Sequence, residues 1–407
     1  MGCPKYPWSK ISNLYITPSL LNRAMKNKQL IAAVVAAAVL VALLAFTLLR
    51  QPAPPPAGSP PSAPSSSSQP QQAPVVLLGS GATFPMEQII AWAVQVKKVH
   101  PWISIEYGGG GTGKGQSDFL QGVVDFAGSD VPLKTSDWEK ARNLYGGVLQ
   151  VPIILGGVAV VYNIPELPPD YNLRLTGEVL ADILLGGIEY WDDPRIAELN
   201  PGVELPHQRI VFVHRSESSG TTEVFTAYLS KVSSEWRSRV GAGKVVSWPL
   251  DALGRGVGAL GNPGVAQAVK NTPYSIGYVE LAYTKGLGVA ALRNKAGEYV
   301  VPSKESVTKA AEALPQINPA EDLSKLNILH ALLDSEKPGA YPIVSLSYLL
   351  VKTPPAYTPE KARALYIFLE HVLGEGQEEK NLVEGYAPLP KPLRETLLAA
   401  LRDFERA

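Results

Sequence analysis

The chain has 407 residues, enough for two or three domains with a buried core, and its 37 basic and 37 acidic residues cancel to a net charge of +0. All five charges in residues 1–29 are positive (Lys5, Lys10, Arg23, Lys26, Lys28), and the next charge is Arg50. Taking those six from the 37 leaves 31 basic against 37 acidic residues from position 51 onward, a net of −6. That excludes nonspecific nucleic-acid binding, because counterion release requires a basic surface.

Cys3 is the only cysteine, so the rest of the chain has no disulfide and no thiolate metal site. It precedes the long apolar run, which rules out the acylated cysteine of a lipoprotein signal, and "MGCPKY" lacks the Ser or Thr at position 6 that myristoylation needs. Leu30 to Leu49, "LIAAVVAAAVLVALLAFTLL", carries no charge and has about the ~20 residues that span a bilayer as a helix. The basic flank predicts a cytoplasmic N-terminus (1–29) and an extracytoplasmic remainder. The run exceeds the ~7–15-residue apolar core of a cleaved signal, which predicts an uncleaved anchor over 30–49. The following stretch (50–74) contains nine prolines and six serines and, after Arg50, no charge; it reads as a semi-extended tether.

From Val75 onward β-type runs alternate with helical patterns: "VVLL", a helix from about Pro85 with Met86, Ile89, Ile90, Ala93 and Val96 apolar, then "WISIEY", "VVDFAG", "VLQVPIIL" and "GVAVVYN". The alternation predicts an α/β fold with a largely parallel sheet and no internal repeat. Further elements are a helix near Gly177 to Leu185, the strand "RIVFVHR", and a helix from about Thr221 with Val224, Phe225, Tyr228, Leu229 and Val232 on one face. The last ~50 residues read as mainly helical, with Thr358 capping a helix that has Pro359 in its first turn.

Four stretches carry candidate chemistry. "GGGGTGKG" (Gly108 to Gly115) fits a nucleotide-phosphate loop at Gly108, Gly113 and Lys114, but Gly115 replaces the hydroxyl residue that would hold magnesium. A flexible turn with a solvated lysine is one alternative; the other is a backbone nest for a free oxyanion, with Thr112 at a helix start. In "GSGATFP", Thr83 is either a helix cap or a hydroxyl donor beside free helix N–H groups. Asp130, in "DFAGSDVPL", follows an apolar strand, where carboxylates usually cap the next turn. "HRSESSGTTEVF" combines the Arg215 guanidinium, the Glu217 carboxylate and Ser219-Gly220-Thr221 at the opening of an amphipathic helix. Ser219 as a nucleophile would need His214 or a distant histidine as base and lacks the G-x-S-x-G setting; hydrogen-bond donation is the simpler role. The five histidines (His100, His207, His214, His330, His371) show no metal-ligand spacing, so neither a metal nor a cofactor is expected.

At these residues the chain resembles the phosphate-binding protein of phosphate-specific ABC uptake systems. The matching stretches run in the family's order: "GSGATFP", "YGGGGTGKG", "VDFAGSDVPL", "VPIILGGVAVVYNIP", "LADILLGGIEYWDDPRIAELNPGVELP", "VHRSESSGTTEVFTAYLSKVSSEW", "SIGYVELAY" and "GYAPLP", between Leu78 and Pro390. The resemblance implies a two-lobed periplasmic-binding-protein-like α/β fold with the ligand cleft between the lobes. Residues 75–157 and 341–407 would form lobe I and 158–340 lobe II, with crossings near Val151 to Asn163 and "YPIVSLSYLLVK". It implies that Thr83, Phe84 (through its backbone N–H), Thr112, Asp130, Arg215, Ser219, Gly220 and Thr221 bind phosphate, Asp130 accepting the ligand's proton, with Glu217 and Lys114 in support. Glu217 stands where an aspartate often pairs the arginine, Ser218 where a glycine is common, and Lys114 is an added charge. The implied protein is a non-enzymatic, membrane-tethered receptor that serves ABC permease subunits and their ATPase. A receptor for another tetrahedral oxyanion (sulfate, molybdate, tungstate) and an extracellular phosphate-ester hydrolase are the alternatives.

Overall fold

The computed structural model describes residues 73–406 except 169 and 313, without the side chains of 403–406. The expected anchor over 30–49 and nearly all of the tether lie outside the described residues; among the described residues no helix is long and apolar enough to cross a membrane.

The elements that position the site are β1 (Val75–Gly81), α1 (Met86–Val99), β2 (Ile103–Gly108), α2 (Thr112–Leu120), β3 (Phe126–Ser129), α3 (Thr135–Tyr145), β4 (Val148–Asn163), α4 (Gly177–Leu185), β5 (Val211–Arg215), α5 (Gly220–Val232), β6 (Gly256–Ala259), α6 (Gly261–Asn271), β7 (Ser275–Glu280), β8 (Val344–Lys352), α7 (Pro359–Leu373) and α8 (Lys391–Arg406). They form a two-lobed α/β fold on one sheet, ordered β2-β1-β3-β8-β4-β7-β5-β6, with a two-residue strand (Gly288–Val289) also pairing with β4.

The parallel expectation holds only within each half. β1 pairs in parallel with β2 and β3, and β5 in parallel with β6 and β7. At the centre, β8 runs antiparallel to both β3 and β4, and β4 runs antiparallel to β7. The sheet is therefore mixed, because the late strand β8 returns to fill the gap between β3 and β4.

"VLQVPIIL" and "GVAVVYN", read as separate strands, fuse into the 16-residue β4. Pro152, which lacks a ladder N–H, is tolerated because the register with β8 slips beside it: Tyr348 faces Pro152 while Ser347 faces Ile154. Ile153, the extra residue of this bulge, has its carbonyl satisfied by Gln377 Nε2 at 2.8 Å. The two following glycines do not break the strand either. A Cβ on Gly156 would lie 2.6 Å from Phe84 Cε1, so the glycine lets the Phe84 ring lie directly on the strand. β4 pairs with β8 up to Gly157 and with β7 from Val158, which makes it the strand that joins the two halves of the sheet.

β1 starts with side chains alternating in and out of the core and ends fully buried at Gly79 to Gly81, where it enters the cleft. On α1 the core stripe is Ile89, Trp92 and Val96 together with buried Gln88, while Ile90 faces out. Gln88 replaces an apolar residue at this position because its amide donates to Asn381 O (3.0 Å) and accepts from Val383 N (2.7 Å). The α5 stripe is as expected at Val224, Phe225, Tyr228 and Leu229, and Thr358 caps α7. Trp92, Trp191 and Trp236 are fully buried; each side chain of this size contributes roughly 1.5–3 kcal/mol or more of transfer free energy.

Candidate functional site

In both halves the chain leaves the carboxyl end of a parallel strand and turns toward the cleft, which is where open α/β sheets bind ligands. β1 leads to Thr83, β2 to Thr112 and β3 to Asp130 from one side; β5 leads to Arg215 and Ser219, and β6 to the start of α6, from the other.

Asp130 is the centre of the first group. It is 3% exposed, its Oδ1 accepts from Ser347 Oγ (3.0 Å), and its Oδ2 accepts from Thr112 Oγ1 (3.3 Å). Thr112 Oγ1 also accepts from the Asp130 backbone N–H at 3.2 Å. Burial pushes the Asp130 carboxyl up to about 7, against the opposing pull of the Ser347 hydrogen bond, the Arg215 charge and the Thr112 hydroxyl.

In the second group Arg215 is buried. Its Nε donates to Glu217 Oε1 at 2.7 Å, Nη2 pairs with the same carboxylate, and Nη1 donates to Thr221 Oγ1 at 3.1 Å. Glu217, one methylene longer than aspartate, also accepts from the Gly261 N–H at 3.2 Å. It thereby ties the arginine to the start of α6. Ser219 caps α5 by accepting from Thr222 N (3.2 Å). The first N–H groups of that helix, including those of Gly220 and Thr221, have no carbonyl partner inside it and lie at its positive end.

The two groups are in direct contact. Gly220 lies against Thr112 and Asp130, and Gly113 N donates to Ser218 O at 3.0 Å. Thr83 does not cap α1, whose N-cap is Pro85; its Oγ1 instead accepts from Asn262 on α6. Phe84 is fully buried, and its carbonyl accepts from Tyr386 Oη at 2.5 Å. Lys114 stands apart: it is half-exposed and pairs with Asp118, which also accepts from Ser80 Oγ at 2.6 Å. His214, the nearest base in sequence to Ser219, is bound at Nε2 to Asp251 Oδ1 (2.9 Å) and at Nδ1 to Arg215 O (3.0 Å).

Three residues around this constellation had no sequence motif of their own. Ser347 alternates with Ser345 in the apolar run "VSLSYLLV", so the period of two already put two hydroxyls on one strand face. Asn262 sits in "GNPG", which looks like an ordinary turn. Glu280 ends β7, fully buried; its Oε2 accepts from Ala282 N (2.8 Å), and burial holds its carboxyl well above the usual carboxylate range. Its Oε1 has no hydrogen-bond partner among the described residues. No cluster of metal-ligating side chains occurs among the described residues.

The arrangement offers one guanidinium, several hydroxyls and helix N–H donors, and, in Asp130, an acceptor carboxyl held in place by Ser347 and Thr112. That chemistry suits a small, singly protonated oxyanion.

A family model described as a PBP superfamily domain matches residues 67–375. The phosphate-binding protein PstS of Methanocaldococcus jannaschii is 46% identical over 334 residues, covering 80% of this chain and 86% of that protein. PstS of Pasteurella multocida is 39% identical over 325 residues, covering 79% and 89%. A high-affinity periplasmic phosphate-binding protein solved with bound phosphate superposes with a TM-score of 0.63 at 22% identity, over 80% of this chain and 93% of that one, a likeness of fold. With this extent of identity, the chain belongs to the PstS family of phosphate-binding proteins, within the PBP superfamily.

Proposed function

We propose that this protein is an extracytoplasmic receptor, not an enzyme, that binds inorganic phosphate and delivers it to the transmembrane and ATPase subunits of an ABC permease. The phosphate ligands in this reading are Thr83, Phe84, Thr112, Asp130, Arg215, Ser219, Gly220 and Thr221, with Glu217 orienting the guanidinium. Lys114 contributes only to the rim, because it is paired with Asp118. Lobe I comprises 75–157 with 341–407, lobe II comprises 158–340, and residues 30–49 tether both to the membrane with 1–29 inside.

The observation that carries the reading is the contact of Asp130 and Thr112 from one half with Gly220 from the other, on the helix whose next residue, Thr221, holds the Arg215 guanidinium. Hydrogen phosphate keeps a proton near neutral pH and donates it to Asp130. Sulfate has none and leaves a buried carboxylate facing a like charge. A hydrolase reading lacks its base, since both ring nitrogens of His214 are taken, Nε2 by Asp251 and Nδ1 by the Arg215 carbonyl, and neither faces Ser219. Calorimetric titration of residues 75–407 with phosphate, sulfate and ATP tests the assignment. Binding of phosphate alone supports it; equal binding of sulfate, or preference for ATP, refutes it.

A further inference from the structure

A threonine hydroxyl has one proton to donate and two lone pairs with which to accept. Thr83 Oγ1 accepts from the backbone N–H of Asn262 at 3.1 Å and from its side-chain Nδ2 at 3.2 Å, which fills both lone pairs. The orientation of that amide is set at its other end. Asn262 Oδ1 lies 3.0 Å from the backbone N of Glu280, a group that can only donate, so oxygen must face it and nitrogen must face the hydroxyls. The same Nδ2 lies 3.5 Å from Thr221 Oγ1, which also accepts from Arg215 Nη1 at 3.1 Å. Asn262 is completely buried and cannot turn to water. Both threonine protons are left to point away from Asn262, one from each half of the protein.

We propose that Asn262 is a positioning residue that fixes Thr83 and Thr221 as hydrogen-bond donors toward the bound anion. The inference rests on the reading of these two threonines as anion ligands. Without Asn262, each hydroxyl could rotate and present a lone pair to the ligand, and a negatively charged oxygen would meet a negative end of a dipole. With it, the ligand finds only donors at these positions, and its own proton is confined to the oxygen that faces Asp130. Because Asn262 lies on α6 and reaches Thr83 beyond β1, the polarity of the Thr83 hydroxyl is set only when the two halves are together. Closure and hydroxyl orientation are thus a single event.

The test is a double-mutant cycle on the full-length chain in detergent, titrated with inorganic phosphate at fixed pH and salt. The chains are wild type, Asn262→Ala, Asn262→Asp, Thr83→Val, and Thr83→Val combined with each Asn262 variant. Asn262→Ala is expected to weaken binding roughly 10- to 100-fold, the scale of one or two misdirected hydrogen bonds. Asn262→Asp keeps the shape and the Glu280 contact but captures the Thr83 proton, so it should be the worse of the two. A packing role predicts the reverse order, with the isosteric Asp milder than Ala. In the Thr83→Val background the part of either penalty that acts through Thr83 should disappear, leaving the part that acts through Thr221; a penalty that persists undiminished refutes the positioning role, and for Asp it would reduce the effect to charge repulsion. If circular dichroism shows that Asn262→Ala does not fold, the Asp arm of the cycle decides alone. Wild-type protein that takes up no phosphate refutes the receptor reading itself, an outcome distinct from binding with an undiminished penalty.

Discussion

Gly220 stands so close to Asp130 that a Cβ on the glycine would lie 2.6 Å from Asp130 Cβ, 2.8 Å from its Oδ2 and 2.5 Å from Thr112 Oγ1. No side chain fits there while the halves are together. Gly220→Ala should leave the ligand-free protein as stable as wild type or slightly more so, because alanine is the better helix former at the start of α5. Closure should suffer: phosphate affinity is expected to fall about 10- to 100-fold, the scale of an overpacked contact. Thermal melts with calorimetry check both halves of this; unchanged affinity would mean that the two groups of ligands do not meet in the bound state.

Arg215→Ala removes a buried cation and leaves Glu217 without its partner, so phosphate binding should drop by about 10³-fold or to nothing detectable. Lys114→Ala breaks a half-exposed pair with Asp118 and should cost less than about fivefold. A Lys114 variant more damaged than the Arg215 variant would point to a nucleotide cradle after all.

Asp130→Asn separates specificity from stability. With sulfate the Asn side chain offers a donor of the same shape, so the phosphate-to-sulfate preference should shrink mainly through gained sulfate binding, checked by titrating both anions against wild type and variant.

For stability, the Asp130 carboxyl is raised to about 7 in the folded protein, so the folded state holds its proton more tightly than the unfolded chain does. The penalty is absent below the unfolded value near 4, grows as pH rises, and levels off above 7, reaching on the order of 4 kcal/mol. Ligand-free Asp130→Asn should therefore gain on wild type from pH 5 to pH 8 in denaturant melts; a gap that narrows with rising pH contradicts the assignment.

Glu280 adds a second pH term of the same sign. Burial holds its carboxyl well above the usual carboxylate range, so raising the pH past the unfolded value costs wild type stability that Glu280→Gln does not lose. The variant should be less stable than wild type at pH 5, where the added amide donors lack partners, and should close that gap by pH 9. Parallel melts at the two pH values check the trend.

Residues 75–407 should fold and bind phosphate without the first 74, because the described elements close their own core from Val75 onward. An insoluble product, with full-length chain active in detergent, would show that the N-terminal segment is needed for folding.

What the sequence made legible was local. Thr112, Asp130, Arg215 and Ser219 each sit within a few residues of the strand end or helix start that places them, so glycine and hydroxyl spacing was enough to nominate them. Asn262 and Ser347 reach the same site from 179 and 217 positions along the chain from Thr83 and Asp130, respectively, and no periodicity encodes such a meeting. For Lys114 the motif shows only its proximity to the loop, whereas the direction of its side chain is decided by Asp118 one turn later. The antiparallel β8 has no local signal for its place between β3 and β4, and only the bulge opposite Ser347 and the Phe84 ring explain why Pro152 and Gly156-Gly157 do not divide β4 in two.

The insertion of β8 between β3 and β4 also sets a timetable for the chain's maturation. Strands β1 to β3 are complete by Ser129, yet the sheet cannot join them to β4 until residues 344–352 have been made. A nascent chain must hold open a slot flanked by two buried strand edges while residues 164–343 are added, a state prone to pairing with the wrong strand. The half built on β5 to β7 has no such dependence on the chain's end and can order first. Refolding should then be biphasic, with the slow phase reporting the entry of β8.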